Sequence, residues 1–201
     1  MPVSRRTLLS VVATSSLIPG LARAAGDPRM DLRAVGSPTA KVTVIEYMSL
    51  TCTHCAHFSM DTMPEVEKKL IKPGTLRIVY RDFPLDGVAL MAAMVARALP
   101  PAQYYPFITA LFASQDRWAF AQGINYTDEL WKMAALAGMD RKTFDATIAD
   151  QGLKKAVLAE QLHAEQKYKV DSTPTFIING KPEPGAMSYS QFAKLVKAAS
   201  A

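Results

Sequence analysis

Apolar residues along this chain follow two periods, and the change from one to the other outlines the fold. Val42-Thr43-Val44-Ile45-Glu46-Tyr47-Met48 is rich in β-branched residues and almost continuously apolar. Such a run predicts a central strand covered on both faces. A helix-like run follows from about Ala56 to Leu70 and ends at Lys72-Pro73-Gly74. Pro64 lies inside it, and the missing backbone donor of a proline predicts a kink there. Leu76-Arg77-Ile78-Val79-Tyr80 reads as a second strand, closing at Asp82-Phe83-Pro84-Leu85. Strand, helix and strand joined at this length predict a right-handed βαβ unit with a parallel pair.

From about Gly87 to Tyr168 the pattern is helical. Val88–Leu99 stops at Pro100-Pro101, and Gln103–Ala113 is amphipathic. Thr127-Asp128-Glu129 opens a helix ending at Gly138, Asp140 caps a short one reaching Asp150, and Gly152 precedes a long one over Leu153–Tyr168. Strand character returns at Thr175-Phe176-Ile177-Ile178, followed by Asn179-Gly180, the strongest short hairpin signal. A short strand near Gly185–Met187 and a last helix over Ser190–Ala199 are expected. The expected class is α/β, with one sheet unit in two parts, 41–86 and 166–201. An all-helical insertion over 87–165 separates them. Residues 25–40 form an extended lead-in, with a short strand around Met30–Ala34. Met60, Met63, Met91 and Met94 are expected to fill the core.

The first residues change the reading of charge and location. Ser4-Arg5-Arg6-Thr7-Leu8-Leu9 places two arginines before an apolar stretch that reaches Ala22 and is broken by Ser15, Ser16, Pro19 and Gly20. A spanning helix needs roughly 20 apolar residues, more than this stretch supplies. Ala22-Arg23-Ala24 offers a cleavage site, and the arginine pair resembles a twin-arginine export signal over 1–24. A general secretory signal is the other reading. The signal holds Arg5, Arg6 and Arg23 and no acid, so the 23 bases fall to 20 against 18 acids. The basic balance therefore leaves with the signal, and no nucleic-acid patch remains. Export points to the periplasm, where a cysteine pair is readily oxidised.

The only two cysteines stand at Cys52-Thr53-His54-Cys55, between the first strand and its helix. This spacing at a strand-to-helix turn reads as a redox pair. Cys52 at the helix start faces unpaired backbone N–H groups and the positive end of the dipole, which favour a thiolate nucleophile. His54 is expected to add a hydrogen bond or positive charge, and Cys55 to be the more buried resolving thiol. A structural disulfide and a zinc site with His54 or His57 are the alternatives. The first closes a very small loop, and the second lacks a further cysteine pair. No metal and no cofactor are expected. His57 and His163 are assigned no chemistry. Glu46 is an acid in an apolar strand, costly to bury unless paired or protonated.

Gly36-Ser37-Pro38, Val42–Tyr47, Cys52–Cys55, Arg81-Asp82-Phe83-Pro84-Leu85 and Ser172-Thr173-Pro174-Thr175 occur in an order that resembles the DsbA-like thiol:disulfide oxidoreductases. The resemblance implies a thioredoxin fold with an inserted helical domain, and a cis proline at Pro174 facing the cysteines. It implies that Thr173, Pro174 and Thr53 contact substrate, and that Glu46 moves the proton of Cys55. It further implies disulfide donation to reduced exported proteins through a mixed disulfide at Cys52, with reoxidation by a DsbB-like membrane oxidase. Thr173 matches isomerase-type members, so isomerase or reductase is the second reading. A non-catalytic periplasmic chaperone or binding module is the third. The short lead-in before the first secure strand disfavours an isomerase dimer or trimer, so a monomer is expected. With no later stretch long and apolar enough to span a bilayer, no stable membrane anchor is expected.

Overall fold

The computed structural model describes Met1 and residues 26–200, so the export signal read over 1–24 lies outside the described residues, Met1 apart. Five strands form one sheet in the order β1-β3-β2-β4-β5. They are β1 (Arg33–Val35), β2 (Val42–Met48), β3 (Leu76–Asp82), β4 (Thr175–Ile178) and β5 (Lys181–Pro184). β2 is central. It runs parallel to β3, pairing Glu46 with Tyr80, and antiparallel to β4, pairing Glu46 with Phe176. Its continuous apolar run has the predicted cause, since both faces are covered. One face carries Val44, Ile78, Tyr80, Phe176 and Ile178 into the main core with Phe58 and Phe192. Tyr47 and Ile177 on the other face pack with Ala164 and Val170.

The helix joining β2 to β3 is helical from Thr53, directly after Cys52 as expected and three residues before the apolar helical run becomes visible at Ala56. Its parts are α1 (Thr53–His57), a wider π turn at Phe58–Thr62, α2 (Met63–Val66) and a second π turn at Glu67–Ile71. Pro64 does not break it. The turn before the proline widens, so that Met63 N–H donates to the Phe58 carbonyl and the chain continues into α2. Gly74, at φ +79°, turns the chain into β3.

Six helices lie between β3 and β4: α3 (Gly87–Ala98), α4 (Pro101–Phe112), α5 (Gln115–Trp118), α6 (Tyr126–Leu136), α7 (Arg141–Ala149) and α8 (Gln151–Tyr168). Asp86, Asn125, Asp140 and Asp150 cap α3, α6, α7 and α8 through their side chains. Pro100-Pro101 ends one helix and starts the next, because a proline suits the first turn. The short α5 has no counterpart in the sequence reading. Helix α9 (Tyr189–Ala199) closes the chain behind a Ser188–Gln191 capping box.

Two expectations are corrected. The last strand is Lys181–Pro184 rather than Gly185–Met187, because β5 begins directly after the turn at Asn179 (φ +49°) and Gly180 (φ +78°). In the lead-in, Pro28–Met30 is a single 3-10 turn and the strand starts at Arg33. Of the four methionines expected in the core, Met63 and Met94 are buried, Met91 is half-buried and Met60 is exposed.

Candidate active site

The two cysteines hang on the end of the central strand. β2 stops at Met48, whose carbonyl accepts from Phe83 N–H at 2.8 Å. Cys52 N–H then donates to the Ser49 carbonyl at 3.1 Å, a tight turn that delivers Cys52 as the N-cap of α1. A cysteine is an unusual cap, but it works as one here. Its sulfur accepts from Cys55 N–H at 3.4 Å. Each hydrogen bond to the sulfur is available to the negative charge, and the positive end of the helix dipole adds to them.

The two thiols are electrostatically unlike. Cys52 is 7% exposed and Cys55 is fully buried, and both are free thiols in this structure. Hydrogen bonding from the Cys55 thiol, then from the Thr173 side chain and the backbone N–H groups of Cys55 and His54, holds Cys52 down at about 5 against the cost of burial. Burial first, and then the neighbouring Cys52, push Cys55 well above the usual thiol range.

Thr173 and Pro174 stand directly before β4, the strand paired with β2. Their peptide bond is cis. In its thiol form Cys52 donates to the Thr173 carbonyl at 3.2 Å, a bond that favours the neutral state. The Thr173 hydroxyl is buried and has no partner among the described residues, which leaves it to donate to the sulfur once Cys52 ionises. The Pro174 carbonyl is held by Gly185 N–H at 2.8 Å.

Glu46 is 2% exposed in β2, and no hydrogen bond reaches its carboxyl among the described residues. Burial, followed by the nearby Cys52, pushes it up to about 8. It therefore stands mostly protonated at neutral pH, next to a buried thiol that it in turn influences.

His54 is placed differently from the expectation. It contributes its backbone N–H to Cys52, while its imidazole is exposed and makes no hydrogen bond to the sulfur. The reason is its position in the first turn, where the side chain points outward. The ring borders a shallow groove with His57, Phe58, Asp61, Thr62 and Met187. Thr53 is exposed beside it. His57 bonds Asp61 at 2.8 Å on the surface, away from both sulfurs. Among the described residues, no cluster of three or more His, Cys, Asp or Glu side chains is placed to hold a metal ion.

Two contacts had no signal in the sequence. Gln115, in α5, donates its side-chain amide to the carbonyls of Leu50 (2.8 Å) and Cys52 (3.1 Å). Thr51 donates to Asp86 at 2.6 Å, and Asp86 also caps α3, so one carboxylate serves both the loop and the helix. Both contacts join residues far apart in the chain.

Residues 30–198 match the protein family described as Thioredoxin. A Rickettsia felis protein whose name includes the words protein-disulfide oxidoreductase is 27% identical over 147 residues, 73% of this chain. The chain spans about half the length of the curated relatives it matches (52% here). Among solved structures, Wolbachia pipientis alpha-DsbA1 superposes with a TM-score of 0.77 at 27% identity, covering 85% of this chain and 92% of that one. A Novosphingobium aromaticivorans structure described as a protein-disulfide isomerase gives 0.73 at 26% identity, covering 84% and 97%. The chain belongs to the thioredoxin family, among its DsbA-like members.

Proposed function

We propose that this protein is a periplasmic thiol:disulfide oxidoreductase that donates a Cys52–Cys55 disulfide to reduced exported polypeptides. The observation that carries the reading is the inequality of the two thiols. Cys52 is held near 5 at the mouth of the site, while Cys55 is pushed up out of reach of solvent. A low-pKa sulfur is a good leaving group, and its stability as a thiolate makes the disulfide the more oxidising partner.

In the forward reaction a substrate thiolate attacks Cys52 Sγ, the Cys52–Cys55 bond breaks, and Cys55 leaves as a thiolate. Glu46, protonated at neutral pH, is the nearby acid that supplies its proton. A second substrate thiolate then attacks the substrate sulfur of the mixed disulfide and expels Cys52, which stays ionised. The substrate loses two electrons, and the protein gains them. The Thr173 backbone, presented by the cis peptide to Pro174, pairs with the substrate backbone beside the sulfurs, in the manner of strand addition. Thr53 and the exposed His54 ring border the approach. A DsbB-like membrane quinone reductase restores the disulfide, and the protein acts as a monomer.

The test joins a titration to an assay. Ultraviolet thiolate absorbance of the reduced protein should report a midpoint near 5. The oxidised protein should convert a reduced, unfolded dithiol peptide to its disulfide. Cys52→Ala should abolish this. Cys55→Ala, offered the peptide in its disulfide form, should form a mixed disulfide at Cys52 as the Cys52 thiolate opens the peptide bridge and releases one peptide thiolate. An ordinary alkaline midpoint together with no peptide oxidation would overturn the reading. Isomerisation is favoured by Thr173 and by the likeness to the Novosphingobium protein described as an isomerase. Rescue of a scrambled disulfide substrate faster than oxidation of a reduced one would establish it instead.

A further inference from the structure

We propose that Gln115 is a positioning residue for the Cys52 thiolate, a clasp by which the helical layer holds the loop that carries the nucleophile. The inference rests on the disulfide-exchange reading.

The Gln115 side chain is 6% exposed. Burying a primary amide is costly unless its donors are used. Its nitrogen donates to the carbonyls of Leu50 at 2.8 Å and Cys52 at 3.1 Å, so the active-site loop takes both hydrogens. The Cys52 carbonyl also accepts from Ala56 N–H at 3.1 Å, the first backbone bond of α1. Gln115 and the helix thus share one carbonyl and together fix the plane of the Cys52–Thr53 peptide. That plane sets where the next N–H groups of the turn point, and the Cys55 N–H among them points at Cys52 Sγ. The positive end of the amide dipole also lies against the Cys52 backbone, where it favours a nearby anion.

The clasp is braced from behind. Ser114 Oγ donates to the Ala110 carbonyl at 2.7 Å, and Trp118, 1% exposed, donates its indole N–H to the Leu111 carbonyl at 2.7 Å. A short turn that only joined α4 to α6 needs neither this bracing nor a buried amide. The titratable side chains acting on the Cys52 sulfur are Cys55 and Glu46, and substitution at 115 leaves both in place.

Gln115→Met keeps length and volume and removes both donors. The Cys52 thiolate midpoint is expected to rise by about one unit, the scale of one lost hydrogen bond. The equilibrium constant against glutathione should fall by up to about tenfold, or ~30 mV for a two-electron couple. A lowered thermal midpoint with an unchanged thiolate midpoint and glutathione equilibrium would reduce Gln115 to a fold contact and overturn the proposal. If the variant does not fold, the unaltered protein provides the measurement. The nitrogen-15 signal of the Gln115 side-chain amide is expected to be protected from exchange and to shift with the Cys52 titration. An unprotected signal that ignores that titration would overturn the proposal. If the unaltered protein itself titrates like an ordinary thiol, the exchange reading fails, while the difference between the two proteins still reports on the clasp.

Discussion

In the reduced protein at neutral pH, a thiolate at Cys52 and a protonated carboxyl at Glu46 contribute to stability with opposite dependence on pH. Cys52 is lowered from 9.0 to about 5, so between those values the unfolded chain binds the extra proton and folding stability rises with pH. That contribution is lost as pH falls through about 5. Glu46 is raised from 4.5 to about 8, so in that window the folded chain binds the extra proton and stability falls as pH rises. The two offset each other between about 5 and 8. Glu46→Gln is therefore expected to make stability of the reduced protein climb more steeply with pH across this range. Urea unfolding under reductant at several pH values measures it, and an unchanged slope would mean Glu46 is already ionised in the fold. Glu46 was legible in the sequence because an acid in an apolar strand stands out. Gln115 was not, since its partners Leu50 and Cys52 lie 65 and 63 positions away.

Strand β2, the βαβ unit, the helix cap at Asp140 and the Asn179-Gly180 turn follow directly from period and turn chemistry. The elements that escaped have physical reasons. Helix α5 is four residues long, too short to show a period. β5 alternates Lys181-Pro182-Glu183-Pro184, and two prolines conceal a strand at an edge where their missing donors are tolerated. Cys52 was legible as the start of α1 from the spacing of the cysteines, whereas the apolar helical period becomes visible only from about Ala56. The lead-in has one strict requirement. Gly36 has φ +96°, and an added Cβ would stand 2.5 Å from the Leu76 carbonyl oxygen in β3. Gly36→Ala should cost more than about 1 kcal/mol, because backbone strain and a clash with main chain act together. Gly123→Ala, with φ +70° and open space around it, should cost about 1 kcal/mol. Thermal unfolding compares the two, and equal losses would mean that β1 moves freely away from β3.

Across the molecule, a buried ionic cluster ties the lead-in, the sheet and the helical layer together. Arg97 of α3 is fully buried and bonds Asp82 of β3 through Nε at 2.5 Å. It also reaches Glu160 of α8 at 3.3 Å, the Tyr80 carbonyl at 3.3 Å and the Asp31 carbonyl at 3.1 Å. Arg81 pairs with the same Glu160. Nothing in the sequence marked Arg97, because its partners are spread over the chain and its own run is Ala- and Met-rich. Arg97→Met should cost roughly 3–5 kcal/mol by leaving Asp82 buried without its cation. Chemical denaturation measures the loss, and one below about 1 kcal/mol would mean that water reaches Asp82.

The borders of the sheet carry a last consequence. One margin is β1, only three residues long, and the other is β5, where Pro182 and Pro184 leave gaps in the outward row of donors. A polypeptide arriving sideways finds little to zip onto at either margin. Under the proposed exchange, a client must enter head-on beside Thr173, where reaching the main chain also means reaching the sulfur.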